Sequence, residues 1–259
     1  MARRNESSMT QNKPIAVLVG ATGDFGKAIS VRLAAEGLRI VAVGRTQESL
    51  EALKKDVPGL ETCVADISDD SSIDAIKAAL DGPVQLAVHG PGLAAPGHVT
   101  ELAPDALAAS VNIKAGGMLR LTRAVDSHLM EGARLVGIAG HYGLEPTDYA
   151  CAAGVANASL IALMRQLSMA YGPRGISAHT VAPGPADTPR LHRIAEVRAR
   201  DNGTTPEEVL EHMKADSSLK TLVTPEQVAW AVASLLAPEA IATTGTVLSL
   251  DGGRRRGMP

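Results

Sequence analysis

The stretch Ile15-Ala16-Val17-Leu18-Val19-Gly20-Ala21-Thr22-Gly23-Asp24-Phe25-Gly26 decides how this chain is read. Five consecutive apolar residues mark a buried strand, and helical character begins near Phe25. Between them stand three glycines, at 20, 23 and 26. A strand that turns sharply into a helix leaves unpaired backbone N–H groups and the positive end of the helix dipole aimed at one spot. Glycine lets a phosphate approach that spot with no Cβ in the way. Strand, turn and helix in that order predict a dinucleotide site rather than an ordinary tight turn. Its candidate contacts are Gly20, Thr22, Gly23, Phe25 and Gly26.

Outward from this segment, short apolar runs alternate with longer stretches of helical period. Strands are expected over 15–19, 39–43, 61–65, 84–88, 134–139, 176–181 and 246–250. Helices are expected over 26–36, 48–56, 71–80, 107–130, 149–171 and 225–236. The start Thr224-Pro225-Glu226-Gln227 combines a capping threonine, proline at the first helical position and glutamine three residues past the cap. This alternation predicts an α/β fold: a doubly wound, Rossmann-type three-layer sandwich with a seven-stranded parallel sheet. Residues 185–223 interrupt it and are richer in charge, so they read as a mobile insertion covering the substrate face. The expected organisation is one dinucleotide-binding domain over 14–253, with a disordered tail over 1–13 and a short tail over 254–259.

Composition narrows the partners. At 259 residues the chain can bury a substantial core, and 45% hydrophobic with 20% charged residues fits a globular protein. A formal charge of −3 supplies no general attraction to nucleic acid or an anionic membrane. Aromatic residues make up only 2%, which disfavours base-stacking surfaces. Cys63 and Cys151 are too few for a disulfide framework. No apolar run is long enough to span a bilayer, and the first residues lack a secretory h-region. A cytoplasmic protein acting on a small molecule is expected, with neither nucleic acid nor membrane as partner and no metal.

Ligands in such sheets lie at the carboxyl ends of the strands. After strand two, Val43-Gly44-Arg45-Thr46 has no acidic residue to hold both ribose hydroxyls of NAD. Arg45 instead offers a fork of donors suited to a 2′-phosphate, so NADP(H) is expected, with NAD(H) disfavoured. After strand three, Asp66 and Ile67 are placed to meet the adenine, although Asp66 also suits a turn cap. After strand four, the turn containing Gly90 lets backbone pass close to a ribose.

Six motifs in one order resemble the short-chain dehydrogenase/reductase family. They are GATGDFG after strand one, Asp66 after strand three, VNIKAGG with Asn112, YACAAG with Tyr149, VAPGPADTP after strand six, and LSLDGG ending at Gly253. The resemblance implies hydride transfer between nicotinamide and a carbonyl or alcohol. Asn112 and Tyr149 match two members of the family's Asn, Ser, Tyr and Lys set. Pro183, Gly184 and Thr188 match the loop that supports the nicotinamide end. The family commonly forms dimers or tetramers, so a homo-oligomer, tetramer or dimer, is expected, built through helices 107–130 and 149–171.

Two members of the set are missing. The fourth residue after Tyr149 is Ala153 rather than lysine, and Gly140 or Ala139 stands where a serine should end strand five. A free phenol has a pKa of about 10, so losing a neighbouring ammonium weakens it as a base more than as an acid. That favours reduction over oxidation. His141 is the candidate substitute proton donor, since imidazole exchanges protons near neutral pH. Lys114, two residues past Asn112, is expected on a different side of its helix. The expected function is thus an NADP(H)-dependent oxidoreductase of this type with an atypical proton donor. A non-redox enzyme on the same fold (dehydration, cyclisation or isomerisation) and a non-catalytic dinucleotide-binding relative are the alternatives.

Overall fold

A strand covered on both faces must be apolar at every position, because each face meets a layer of helices. β1 (Ile15–Val19) meets this demand, with all five residues at most 2% exposed. Ala16 and Leu18 enter one core, while Ile15, Val17 and Val19 enter the other. The computed structural model describes residues 13–92 and 97–257; residues 1–12 of the tail expected over 1–13, and residues 258–259, lie outside it. Six further strands join β1: β2 (Arg39–Gly44), β3 (Glu61–Val64), β4 (Val84–His89), β5 (Leu129–Ile138), β6 (Ser177–Pro183) and β7 (Val247–Leu250). All pair in parallel, in the order β3-β2-β1-β4-β5-β6-β7.

The first core is closed by α1 (Asp24–Ala35), α2 (Gln47–Asp56) and α9 (Pro225–Ser234), through Ile29, Leu33, Leu50, Leu53, Val228 and Val232. The second is closed by α3 (Ser71–Ala78), α5 (Gly117–Val125) and α6 (Cys151–Tyr171), through Ile76, Met118, Leu121, Leu160 and Met164. This is the doubly wound three-layer sandwich expected from the alternation. Because β1 pairs with β2 on one side and β4 on the other, the chain leaves β1 and β4 in opposite directions. A crevice opens at their carboxyl ends.

Three expected segments differ. The helix over 107–130 is α4 (Pro104–Val111), a π turn over Asn112–Gly116, then α5 and a short 3-10 turn over Asp126–His128. β5 therefore begins at Leu129, ahead of the expected 134. An apolar stripe does not reveal one extra residue wound into a turn, and the glycine pair Gly116-Gly117 was its only local sign. The insertion over 185–223 is largely helical: α7 (Pro189–Asn202) and α8 (Pro206–Ala215). Each starts as α9 does. Thr188 Oγ1 accepts from Leu191 N at 3.3 Å, and Thr205 forms a capping box with Glu208. Polar composition hid two helices whose Thr-Pro starts were present in the sequence. Finally, residues 254–257 are no free tail, since Arg254 pairs with Asp216 at 2.7 Å and Gly257 N donates to Glu145 Oε1 at 3.2 Å.

The angle between β1 and α1 depends on Gly26. A Cβ there would collide with the Gly20 carbonyl oxygen and the Ala21 backbone, neither of which can swing aside. Gly26→Ala should cost about 1–3 kcal/mol, as overpacking of a tight contact does. Urea unfolding of wild type and variant measures this directly.

Candidate functional site

A cleft of about 750 Å³ runs along the carboxyl edge of the sheet, from the glycine turn and Arg45 at one end to Gly140 and Tyr142 at the other. That volume suits a small-molecule or cofactor site. The glycines of the turn answer to different constraints. Gly20 has φ +82°, and a Cβ on it would press on the Pro91 ring at 3.0 Å. Gly26 is imposed by helix packing. Gly23 has an ordinary φ of −77°, and a Cβ there would meet only the Gly20 carbonyl at 3.6 Å. Nothing in the protein requires glycine at 23. Its bare backbone leaves space in the cleft, at a helix start whose first amides have no intrahelical acceptors. Thr22, Asp24 and Phe25 line the same end. This cradle fits a diphosphate.

Arg45 is exposed, lines the cleft and forms no ion pair among the described residues. Asp66 uses Oδ1 to accept from Ser68 N at 2.9 Å and Ser68 Oγ at 2.7 Å. Those bonds, with the charge of Arg45, hold its carboxyl below the usual range. It serves the turn-capping role and still lines the cleft beside the buried Ile67. Gly90 N donates to Val19 O at 3.1 Å, which pins the loop after β4 to β1. Across the cleft, Gly184 N donates to Leu250 O at 2.8 Å after Pro183, and Thr188 spends its hydroxyl capping α7. Every residue named from sequence for the cofactor thus lines this one surface.

The catalytic candidates are less well gathered. Tyr142 lines the cleft, and its hydroxyl lies 3.3 Å from that of Tyr149. Tyr149 is 42% exposed, with the Arg198 guanidinium 4.8 Å from its ring centre. Burial and then the hydrogen bond to Tyr142 raise the Tyr149 pKa, so the phenol stays protonated through neutral pH. His141 lines the cleft but is nearly buried, and its Nδ1 lies 3.7 Å from Asp251 Oδ2. Burial, followed by the charge of Arg254, pushes its pKa down, so it is a neutral imidazole at pH 7. Asn112 is not brought to the cleft: it is exposed, and its Nδ2 donates to Ser68 O at 3.0 Å.

The spots of the missing serine and lysine have different surroundings. A Cβ on Gly140 would meet Asn157 Nδ2 at 2.7 Å, so the amide of Asn157 stands against the spot where a serine would project. Ala153 lines the cleft as a bare methyl. Lys114 lies, as expected, on a different side of its helix from the exposed Asn112. It is buried, and its Nζ donates to Ile138 O at 2.7 Å behind Gly92. Burial and then the charge of Arg190 push its pKa down to about 7. Arg190 and Arg198 are the charged groups on the cleft lining that sequence reasoning did not place. Among the described residues no cluster of acidic, histidine or cysteine side chains suits a metal, and no helix is long and apolar enough to cross a membrane.

Residues 20–255 match the family profile described as enoyl-(acyl carrier protein) reductase. A 2,3-dihydro-2,3-dihydroxybenzoate dehydrogenase of Bacillus subtilis is 27% identical over 257 residues, covering 94% of this chain and 97% of that protein. The structure of an actinorhodin polyketide ketoreductase variant with NADPH superposes with a TM-score of 0.87 at 27% identity, covering 94% of this chain and 98% of the other. The NADPH-dependent reductase YwfH, involved in bacilysin biosynthesis, shares the fold with a TM-score of 0.87 at 22% identity over 95% of this chain and 100% of its own. With that profile match spanning nearly all of the cleft and both cores, the chain belongs to the short-chain dehydrogenase/reductase family of oxidoreductases.

Proposed function

We propose that the protein binds NADP(H) and reduces the carbonyl of a small molecule, with a tyrosine pair as proton source. The observation that carries this reading is one continuous cleft with an uncommitted arginine and a bare glycine turn at one end and, at the other, Tyr142, whose hydroxyl is backed by that of Tyr149 outside the lining. A reduced nicotinamide, when bound, supplies the hydride. Gly20, Gly23 and the first turn of α1 hold its diphosphate, and Arg45 meets the 2′-phosphate. The polyketide ketoreductase bound to NADPH supports both the cofactor and a carbonyl substrate.

The phenols act as acid. Tyr142 faces the substrate and gives its proton to the oxygen as that oxygen gains charge. Tyr149, 3.3 Å behind, replaces it. The raised pKa of Tyr149 suits this direction, because the group that resupplies the proton must itself stay protonated at neutral pH. Neutral His141 contacts the Tyr142 ring edge-on at 5.9 Å and so orients it. A second reading, a non-catalytic dinucleotide-binding relative, is favoured by one observation: on the cleft lining Gly140 carries no hydroxyl and Ala153 no ammonium.

Nicotinamide fluorescence titrations should show NADPH bound more tightly than NADH. Arg45→Ala should weaken NADPH by about 10–100-fold and leave NADH nearly unchanged, as for a charged hydrogen bond worth about 1.5–3 kcal/mol. Gly23→Ser should cap α1 and keep stability within about 0.5 kcal/mol, yet weaken NADPH at least about tenfold by filling the cradle. On a carbonyl panel, Tyr142→Phe should lower kcat by about 10²-fold or more, with Tyr149→Phe smaller but in the same direction. NADPH binding with no carbonyl reduced by wild type would establish the second reading instead.

A further inference from the structure

At the reaction end of the cleft stand cations with no carboxylate partner among the described residues: Arg190 and Arg198 on its lining, and Lys114 directly behind Gly92, which lines it too. Lys114 is 8% exposed, and its ammonium gives one of three donors to Ile138 O at 2.7 Å. The other two have no partner among the described residues. Arg190, at the start of α7, lines the cleft and forms no ion pair among them either. Arg198 lies eight residues on, so on the same face of α7, and also lines the cleft without a carboxylate partner. The acids nearby are engaged elsewhere. Asp251 accepts from Gly253 N and Arg255 N, Asp216 pairs with Arg254, and Glu145 accepts from Gly257 N.

A buried ammonium with no counter-charge is costly, and a second cation close by adds to the cost. Such an arrangement is stable chiefly when a ligand brings the missing negative charge. The dinucleotide's own phosphates belong at the other end. The glycine turn follows β1 and Arg45 follows β2, whereas Lys114 rests on the end of β5 and the loop after β4. β5 lies two strands from β1, about 10 Å across the sheet. The anion belongs to the second ligand.

We propose that Lys114 and Arg190, aided by Arg198, form a subsite for a carboxylate or phosphate on the substrate, so that the carbonyl compound reduced here is an acid. This rests on the reductase reading for the word substrate, but the subsite itself can be tested without turnover. The titratable and charged groups facing Lys114 are His89 on β4 and Arg190 on α7. His89, its Nε2 at 2.9 Å from Ile113 O and its pKa pushed down to about 3, stays neutral. With the Lys114 pKa near 7, an arriving anion favours the charged ammonium, so binding at pH 8 must take up a proton. Anion affinity should fall as pH rises above 7.

Two measurements on NADPH-saturated full-length protein decide it. Saturating cofactor keeps Arg45 from serving as the anion site. The first is calorimetry with malonate and with inorganic phosphate, at pH 8, in two buffers of different ionisation enthalpy. The second is the kcat/KM of a panel of 2-oxo and 3-oxo acids against their methyl esters at pH 7. The expected result is binding of one anion with proton uptake, and acids preferred over esters at least tenfold. The better-bound probe tells carboxylate from phosphate. Arg190→Ala, an exposed position safe for folding, should weaken the probe at least tenfold and bring the acid-to-ester ratio toward one. Lys114→Met should abolish the proton uptake. Anion binding with proton uptake but no carbonyl reduced would keep the subsite and sink the reductase reading. Acids and esters reduced alike, with neither anion bound, would keep the reductase and overturn the subsite.

Discussion

The packing of α1 against the end of β1 is the contact on which the architecture depends. Gly26 sits so close to the Gly20 carbonyl that no side chain fits, and this fixes where the first helical turn points. Once it is fixed, the amides of that turn face the crevice between β1 and β4, the place where the winding of the sheet reverses. The two cores then follow from strands that are apolar on both faces. Gly20, with a backbone conformation only glycine adopts cheaply, completes the turn and receives the Pro91 ring. Two of the three glycines therefore answer to the protein's own packing, and only Gly23 is left without a structural demand.

Much of this was legible in the chain itself. Strands buried on two faces announce themselves as unbroken apolar runs, and all seven were placed within a few residues, the start of β5 excepted. The residues named for the cofactor all line the crevice because each lies in a loop immediately after a strand, where sequence order converts directly into position along it. The reaction end was harder. Asn112 turns to Ser68 O and away from the crevice, and the π turn that begins there leaves no record in amino-acid spacing. Arg190 and Arg198 were hidden for another reason: their polar surroundings disguised α7 as loose insertion, so no face could be assigned to them. The meeting of the Tyr142 and Tyr149 hydroxyls spans an irregular loop, whose path spacing alone does not record.

The electrostatics of the two ends differ in kind. At the end formed by the glycine turn, Arg45 is solvated and its charge is softened by water. At the other end, Lys114 is withdrawn from solvent behind Gly92 and held by a single carbonyl, so burial weakens its hold on a proton. His141 beside that end is a neutral imidazole and Tyr149 a protonated phenol.

The contact between Gly140 and Asn157 has a consequence for redesign. A Cβ at 140 would meet the Asn157 amide nitrogen, the movable end of that side chain, whereas a Cβ at 143 would meet Asn157 Cβ and backbone, which cannot swing aside. Glycine is therefore demanded at 143, while a hydroxyl introduced at 140 asks only that one amide turn.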